Sequence, residues 1–202
     1  MYNEKEKKLM NQNDKRVIHT KRILRQTLLE LMNKKPINKI TVKELCENAD
    51  INRNTFYAHY GAPEDIIAEI ENEYYDTLRA FQDSAINNGD DIALIYGIMQ
   101  TLLEHKDFCT VLYGSNSAPA IKDRIYKDAF SRIMFTWIET GKVTQPDHLR
   151  WLFFFLSGGI DAIIRAWVQG GMKESPRDLA TLVGNMCHAS AGTVFGNIQI
   201  NR

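Results

Sequence analysis

Five side chains that donate hydrogen bonds lie within seven residues of this 202-residue chain: Arg53, Asn54, Thr55, Tyr57 and His59. Guanidinium, amide, hydroxyl and imidazole groups at this density suit a polyanion, because phosphate oxygens and base edges accept their hydrogen bonds. A short helix with such donors at its N-terminal end can enter the major groove of DNA. The residue types therefore predict binding to nucleic acid.

Two short helices joined by a tight turn would position these donors. Thr41 and Glu44 have the spacing of a capping box, which predicts a first helix from Val42 to about Asn48. The apolar face of this helix consists of Val42, Leu45, Cys46 and Ala49. One side of the helix should therefore be buried.

The turn and the second helix follow directly. Asp50 suits the left-handed backbone that such a turn requires, and Asn52 is a second N-cap residue. The second helix is predicted over residues 53–60, with Phe56 pointing into the core. The predicted arrangement is a helix-turn-helix.

The run from Thr41 to Tyr60, TVKELCENADINRNTFYAHY, resembles the DNA-binding domain of the TetR family of bacterial transcriptional regulators. Members of that family read T-V-x-E-I-A, then A-G-V-S, then G-T-L/F-Y-x-H-F/Y. Two positions differ: Asp50 replaces a turn glycine, and Pro63 replaces a lysine that contacts phosphate in the family. The resemblance implies double-stranded DNA as a partner.

The resemblance also implies two kinds of DNA contact. The residues expected to contact base edges or the groove are Lys43, Arg53, Asn54 and Thr55. Phosphate contacts fall on Thr41, Tyr57 and His59. Tyr57 has an alternative role as a half-buried packing residue, but the phosphate role is favoured because Phe56 beside it already takes the core direction.

The distribution of charge supports a basic DNA-binding segment, although the formal net charge of the chain is zero. Residues 1–60 contain 13 Lys and Arg against 7 Asp and Glu, a net charge of +6. Residues 61–202 contain 12 against 18, a net charge of −6. Neutralisation of phosphates dominates the sequence-independent affinity of a protein for DNA. A basic N-terminal segment, the head, followed by an acidic remainder of the chain, the body, therefore suits DNA binding. For the lysines near the N-terminus, a solvated tail is the alternative.

The composition, 44% hydrophobic and 25% charged, is that of a soluble globular chain. Three cysteines, Cys46, Cys109 and Cys187, are too few and too widely spaced for a disulfide framework, which indicates a reducing compartment. Residues 1–16 are polar throughout, and no apolar run approaches the ~18 residues of a membrane span. We therefore expect a cytoplasmic protein without membrane contact.

Helical periodicity runs through the chain, and neither β alternation nor a repeat of fixed period occurs. We predict an all-α fold of about nine helices. A three-helix helix-turn-helix domain occupies residues 1–62, with an arm at 1–14, and a larger helical domain for ligand binding and dimerisation occupies residues 63–202. A long helix from Pro63 to about Ala85 would join them. The other helices are predicted at residues 15–34, 92–106, 107–113, 118–140, 146–169 and 176–195.

The last two predicted helices have the character of a subunit interface. Residues 151–167 are apolar nearly all round, and one small body cannot easily cover such a helix. Gly158–Gly159 and the Ala189/Gly192 pair permit close approach. We expect a homodimer through these helices, as the family resemblance also implies, facing half-sites ~34–36 Å apart. The segment FLSGGIDAIIRAWV followed by MKESP resembles one branch of the family, which includes an activator of a dihydroxyacetone kinase operon.

No catalytic, cofactor or metal site is predicted, because the glycine patterns of nucleotide sites, the nucleophile elbow and the zincin motif do not occur. His105 and Cys109 lie four residues apart but lack further ligands, so a structural or pocket role is favoured over a metal site. Arg165 lies among apolar residues and needs an acidic partner, for which Asp161 one turn away is a candidate, or the anionic group of a ligand.

A mostly apolar effector cavity with few polar groups is predicted in the body. Its candidate residues are Tyr96, Met99, Leu103, Tyr113, Trp137, Trp151, Phe154 and Arg165. For each of them singly, ordinary burial in the core is the alternative.

These observations predict a ligand-responsive transcriptional regulator, a repressor that binds a palindromic operator as a homodimer and responds to an unknown small-molecule effector. In TetR-like proteins the long helix transmits a change in the body to the spacing of the two DNA-binding heads. One alternative is a co-regulator of the same fold that acts mainly through a protein partner, which the Pro63 departure favours. The other is an all-α enzyme, which would require turnover that depends on His105 or Arg165.

Overall fold

The structure, a computed structural model, describes the backbone of residues 4–88, 91–114, 121–125, 127–128, 131 and 146–195. It describes the side chains of residues 15–81, 92–114, 121–125, 127–128, 131 and 147–193. Helices account for nearly all of this, and the described residues contain no strand. The α-helices are α1 (Glu4–Met32), α2 (Val42–Ala49), α3 (Arg53–Tyr57), α4 (Pro63–Asn88), α5 (Asp91–Glu104), α6 (Lys106–Leu112), α7 (Pro146–Gln169) and α8 (Pro176–Phe195). A 3₁₀ turn, Ile37–Lys39, follows α1.

The all-α prediction is confirmed, and α7 and α8 have the predicted bounds. Two helices near the N-terminus differ from the prediction. The first is longer, because α1 begins at Glu4 rather than Lys15 and includes much of the expected arm. The second is shorter, because α3 ends at Tyr57 and the chain turns before Tyr60. The helix predicted at residues 118–140 lies largely outside the described residues, which are helical at 121–125.

The chain forms two compact units that divide within α4, between Asn72 and Glu73. The functional boundary predicted at residues 62 and 63 lies at the start of the same helix and stays a prediction.

In the first unit, α1, α2, α3 and the first part of α4 enclose one apolar core. Its fully buried side chains are Leu24, Leu28, Leu45, Phe56 and Ile66. Burial of a side chain of this size contributes about 1.5–3 kcal/mol, so this core stabilises the positions of the short helices α2 and α3. Val17 of α1 lies about two turns before Leu24 and is 37% exposed.

Two glycines allow helices of the second unit to approach closely. A Cβ atom on Gly97 of α5 would lie 2.5 Å from the ring of Phe81 in α4. A Cβ atom on Gly184 of α8 would lie 2.7 Å from the side chain of Ile92 in α5. Both distances are shorter than a carbon contact allows, so glycine is required where α5 meets its two neighbours.

Helix α7 is long and strongly apolar. From Asp147 to Gln169 it is long and apolar enough to cross a membrane by length and composition alone, and 22% of the most apolar window is buried. The sequence predicts no membrane span. A helix that packs against a second protein surface passes the same test of composition, and α7 carries several exposed aromatic rings.

Candidate nucleic-acid interface

The start of α2 and the turn after it have the predicted geometry. The hydroxyl of Thr41 accepts a hydrogen bond of 3.2 Å from the amide of Glu44, so the N-cap is confirmed. Asp50 has φ 52° and ψ 44°, the left-handed conformation expected of the turn. Nζ of Lys35 lies 2.6 Å from the carboxylate of Glu44, which holds the segment before α2 against this helix.

Asn52 begins α3, since its side-chain oxygen accepts a hydrogen bond of 2.8 Å from the amide of Asn54. Phe56 is 0% exposed and is the apolar anchor of the five-residue helix. The Phe56 ring contacts Tyr57 and Tyr60, with centroids 5.4 Å and 6.0 Å apart. One buried ring therefore sets the orientation of α3, because so short a helix has little stability of its own.

The predicted DNA-contact residues lie on the surface of the first unit. All are exposed except His59, which is half-buried; the exposed set is Thr41, Lys43, Arg53, Asn54, Thr55 and Tyr57. Tyr57 is 58% exposed although its ring edge meets Phe56, so it retains a free polar tip. Lys43 lies 3.9 Å from Glu47 in an open pair that costs little to break. Their roles as DNA contacts stay predictions.

Tyr60, just after α3, belongs to a polar cluster that sequence reasoning missed. The Tyr60 phenol donates a hydrogen bond of 2.6 Å to Oε2 of Glu69 in α4. Lys21 and Arg25 of α1 place their nitrogen atoms 2.9 Å and 3.0 Å from Oε1 of the same carboxylate. We call these four residues the Glu69 cluster. Its members lie up to 48 residues apart, so no local pattern indicates it.

The ionisation of the Glu69 cluster follows from its contacts. Burial alone would raise the pKa of Glu69, but the hydrogen bonds from Tyr60 and Lys21 and the charges of Arg25 and Lys21 outweigh it and lower that pKa. Burial and the hydrogen bond to Glu69 raise the pKa of Tyr60 to about 12. The carboxylate is therefore charged and the phenol protonated across the physiological range.

The N-terminus of α4 differs from what a phosphate contact needs. Oδ2 of Asp65 accepts hydrogen bonds of 2.7 Å and 3.0 Å from the amides of Gly61 and Ala62. A carboxylate thus takes the place that a phosphate oxygen would take at this helix end. Pro63, where the resemblance leads one to expect a lysine, is buried.

The predicted effector residues fall into separate places in the second unit. Tyr113 and Arg165 lie together, with the guanidinium 5.8 Å from the ring centroid. Trp151 and Phe154 also lie together, but they are 66% and 51% exposed. Tyr96 instead meets Arg177, at 5.3 Å.

The remaining candidates differ in burial. Met99 is fully buried, Leu103 is half-buried, and Trp137 lies outside the described residues. The expected partner of Arg165 is confirmed, because its Nη2 atom donates a hydrogen bond of 3.2 Å to Asp161. The assignment of the whole set to an effector stays a prediction.

The described residues contain no group of three or more metal-ligating side chains. Burial raises the pKa of the Cys46 thiol, and it raises that of Cys109 to about 12 although a hydrogen bond with Tyr74 opposes the shift. Both thiols are therefore protonated at neutral pH and are poor nucleophiles and ligands. The ring of His105 packs edge-on to Tyr74, with centroids 5.8 Å apart.

The first unit thus has the fold and the exposed donors of a helix-turn-helix DNA-binding domain, which defines the class of protein. Residues 92–189 match the family TetR_C_8, described as "Transcriptional regulator C-terminal region". The resemblance to the TetR family of transcriptional regulators is confirmed by this match to residues 92–189 and by relatives that are themselves described as transcriptional regulators.

One curated protein of similar sequence illustrates the similarity. The "Uncharacterized HTH-type transcriptional regulator YuxN" of Bacillus subtilis (strain 168) is 22% identical over 176 residues, which are 81% of this chain and 60% of that protein. The chain therefore spans about 60% of the length of this curated relative.

Two solved structures share the fold. A transcriptional regulator from Aquifex aeolicus VF5 matches with a TM-score of 0.62 at 16% identity, over 83% of this chain and 96% of that one. The dihydroxyacetone kinase operon activator DhaS matches with a TM-score of 0.57 at 18% identity, over 87% and 98%. At these identities the likeness shows the fold alone, so the branch assignment made from the sequence stays a prediction.

Proposed function

We propose that this protein is a ligand-responsive repressor that binds a palindromic operator as a homodimer. The observation that carries the proposal is the exposed face of α3, where Arg53, Asn54, Thr55 and Tyr57 point away from the core. Four donors held outward by one buried ring suit base edges and phosphates in a major groove. The net charge of +6 over residues 1–60 supports the same role.

A second copy of the chain would cover the exposed apolar surface of α7 and α8. The members of this surface are Trp151, Phe154, Phe155, Leu182 and Met186, each about half or more exposed. A monomer rarely leaves so many large apolar side chains in water on two neighbouring helices. We call these five residues the apolar face.

Three glycines support the same assignment. Among the described residues, no atom of a neighbouring element lies within 4 Å of a Cβ atom placed on Gly158, Gly159 or Gly192, so the described packing does not require glycine there. This contrasts with Gly97 and Gly184, where packing inside the chain leaves no room for a side chain. Small residues beside an exposed apolar face suit close approach of helices from a second subunit.

The operator proposal is tested by selecting bound sequences from random duplexes with the purified full chain. The expected result is an inverted repeat whose half-sites lie about one helical turn, ~10–10.5 base pairs, apart or a multiple of it. Recovery of unrelated sequences, with no repeat, would remove the operator assignment.

The homodimer is tested by light scattering coupled to gel filtration. The parent should elute with twice the mass of the chain, and Trp151→Glu should shift the population towards monomer. Ile18→Glu in α1 is the matched control, because Ile18 is also 66% exposed but lies in the other unit. A monomeric parent would contradict the proposal, and so would equal effects of the two substitutions.

A co-regulator that acts mainly through a protein partner is the second candidate. The observation that favours it is the carboxylate of Asp65 on the amides of Gly61 and Ala62, where the family resemblance implies a phosphate contact. A stoichiometric protein partner recovered by pull-down, combined with no retardation of the selected duplex, would favour this candidate over the repressor.

A further inference from the structure

Four side chains of the second unit surround Tyr113, the residue that follows α6, and two of them lie over its ring. Nζ of Lys122 lies 5.0 Å from the ring centroid, and the guanidinium carbon of Arg165 lies 5.8 Å from it. Asp161 of α7 contacts both cations, at 3.8 Å from Lys122 and 3.2 Å from Arg165. Gln169 donates a hydrogen bond of 3.3 Å to the Tyr113 carbonyl and fixes the end of α6 against α7.

The charges in this cluster do not cancel. Two cations share one carboxylate, so the formal charges of Lys122, Arg165 and Asp161 add up to one net positive charge. The Lys122 side chain is only 16% exposed, and the distance of 3.8 Å to Asp161 is too long for a hydrogen bond. Among the described residues no side chain or carbonyl accepts a hydrogen bond from this ammonium group. The ammonium group keeps some access to solvent, so its acceptor is a water molecule or an anion that enters from solvent.

Tyr113 adds a neutral donor. It is 5% exposed, and burial together with the charge of Asp161 raises its pKa, against the opposing effect of Arg165. The phenol therefore keeps its proton and can donate a hydrogen bond. Arg165, whose side chain is 41% exposed, gives the cluster its opening to solvent.

We propose that Lys122, Arg165 and Tyr113 bind the oxyanion group of a small-molecule effector, a carboxylate or a phosphate. Water could supply an acceptor to Lys122 but would leave the excess positive charge uncompensated, whereas an oxyanion supplies both. Asp161 compensates one of the two positive charges and so limits the charge of the empty site. The inference deepens the proposed effector response, since it assigns the polar end of the effector site and the class of ligand.

The direct test is calorimetric titration of the full chain with inorganic phosphate and, separately, with acetate, in buffers matched for ionic strength with chloride. The parent should bind at least one of them in preference to chloride. Lys122→Gln and Arg165→Gln should each weaken binding by about tenfold or more, the loss expected from one charge-assisted hydrogen bond. Lys106→Gln in α6 is the matched control, because this lysine is exposed and should leave binding unchanged.

Asp161→Asn distinguishes two interpretations of this cluster, a ligand site and an ion network that only supports the fold. Removing the compensating carboxylate should tighten phosphate or acetate binding if the site accepts an anion. Weaker binding in this variant would indicate a structural network and overturn the proposal, as would a parent that binds neither anion. Preference for phosphate over acetate would indicate a phosphate ester as the effector, and the reverse preference a carboxylic acid.

The same proteins are assayed for duplex binding without added anion, which keeps the two proposals apart. A parent that binds an anion but no duplex would leave this site standing and remove the repressor. A parent that binds a duplex but neither anion would do the opposite.

Discussion

The phenol of Tyr60 donates a hydrogen bond of 2.6 Å to Glu69, and this contact joins the segment after α3 to the first half of α4. Because Lys21 and Arg25 contact the same carboxylate, Glu69 links three segments of the first unit. The side chain of Glu69 is 30% exposed, so solvent moderates these interactions without removing them. Glu69 is thus a positioning residue for the surface that we propose binds DNA, although it lies outside that surface.

Replacing Glu69 with Gln should change the acid dependence of stability. The pKa of Glu69 is lowered in the folded protein, so the unfolded chain binds more protons as the pH falls from about the ordinary value of 4.5 through the lowered folded pKa. The stability that Glu69 contributes is therefore present above that range and is lost within it. Glu69→Gln should lower the free energy of unfolding by about 1–2 kcal/mol at neutral pH and flatten its fall in acid.

Urea unfolding followed by circular dichroism between neutral and acid pH measures this effect. Glu30→Gln in α1 is the control, since Glu30 is exposed and, among the described residues, accepts a hydrogen bond from Gln26 one turn away. A profile for Glu69→Gln that is parallel to the parent profile would contradict the role assigned to the cluster.

Replacing Tyr60 with Phe should change the alkaline dependence instead. The pKa of Tyr60 is raised to about 12, so between the ordinary value of 10 and that value the folded protein holds a proton that the unfolded chain has lost. Stability should fall over this range in the parent and fall less in Tyr60→Phe. The measurement is the urea midpoint at alkaline pH. Tyr57→Phe, at an exposed ring, is the control, and an identical alkaline fall in Tyr60→Phe and the parent would count against the prediction.

Two substitutions on α3 should affect DNA binding in different ways. Arg53→Ala should relax sequence preference, at a cost of about 1–3 kcal/mol for the preferred site, if its guanidinium reads a guanine. Tyr57→Phe should weaken selected and random duplexes alike, because a phosphate contact carries no sequence information. Binding isotherms for both duplexes measure the two effects. Parent-like affinities of both variants would remove the DNA assignment of this face.

The affinity for DNA should fall as salt rises. Each phosphate that the protein neutralises should contribute about −0.9 to the slope of log affinity against log salt, because bound counterions are released. Lys43→Gln should leave the slope close to that of the parent, because Lys43 is predicted to make a base-edge or groove contact. A slope less negative by about 0.9 would instead indicate that Lys43 contacts a phosphate. A salt response that is flat for the parent would refute the argument from the basic segment.

Glycine substitutions should distinguish glycines that are required for packing within one chain from glycines that are required for packing between two chains. Gly97→Ala should destabilise the fold, because its Cβ would lie 2.5 Å from Phe81. Gly158→Leu should leave the thermal stability of the dilute single chain nearly unchanged, since no neighbouring element in the described part of the chain lies within 4 Å of its Cβ position, but should weaken the homodimer. Melting curves and light scattering over a concentration series distinguish these results. Equal loss of fold stability in both variants would contradict the placement of Gly158 at a subunit interface.

Local sequence patterns predicted the helix-turn-helix with good detail. The caps at Thr41 and Asn52 and the left-handed turn at Asp50 involve residues two to four positions apart, so their geometry follows from short-range hydrogen bonding. The bounds of α7 and α8 were predictable for the same reason, as proline begins each helix and glycines follow the end of α7.

The family resemblance supplied a prediction that spacing could not give, namely which donors of α3 are expected to contact bases and which phosphates. Periodicity could not separate core from surface among the aromatic residues of α7, because the helix is apolar nearly all round. In the folded chain Trp167 is buried whereas Trp151 is 66% exposed, and only the packing of the neighbouring helices distinguishes them.

The sequence by itself thus determined the helices, their caps and the outward direction of the donors on α3, since these depend on backbone geometry and on neighbours one turn away. Only the tertiary structure decided that Glu69 receives Tyr60, Lys21 and Arg25, and that Lys122 and Arg165 share one carboxylate beside Tyr113. These contacts join residues as many as 48 positions apart. Such pairs form when burial of apolar side chains brings distant helices together. Because the paired residues are far apart in the sequence, no periodic pattern indicates them.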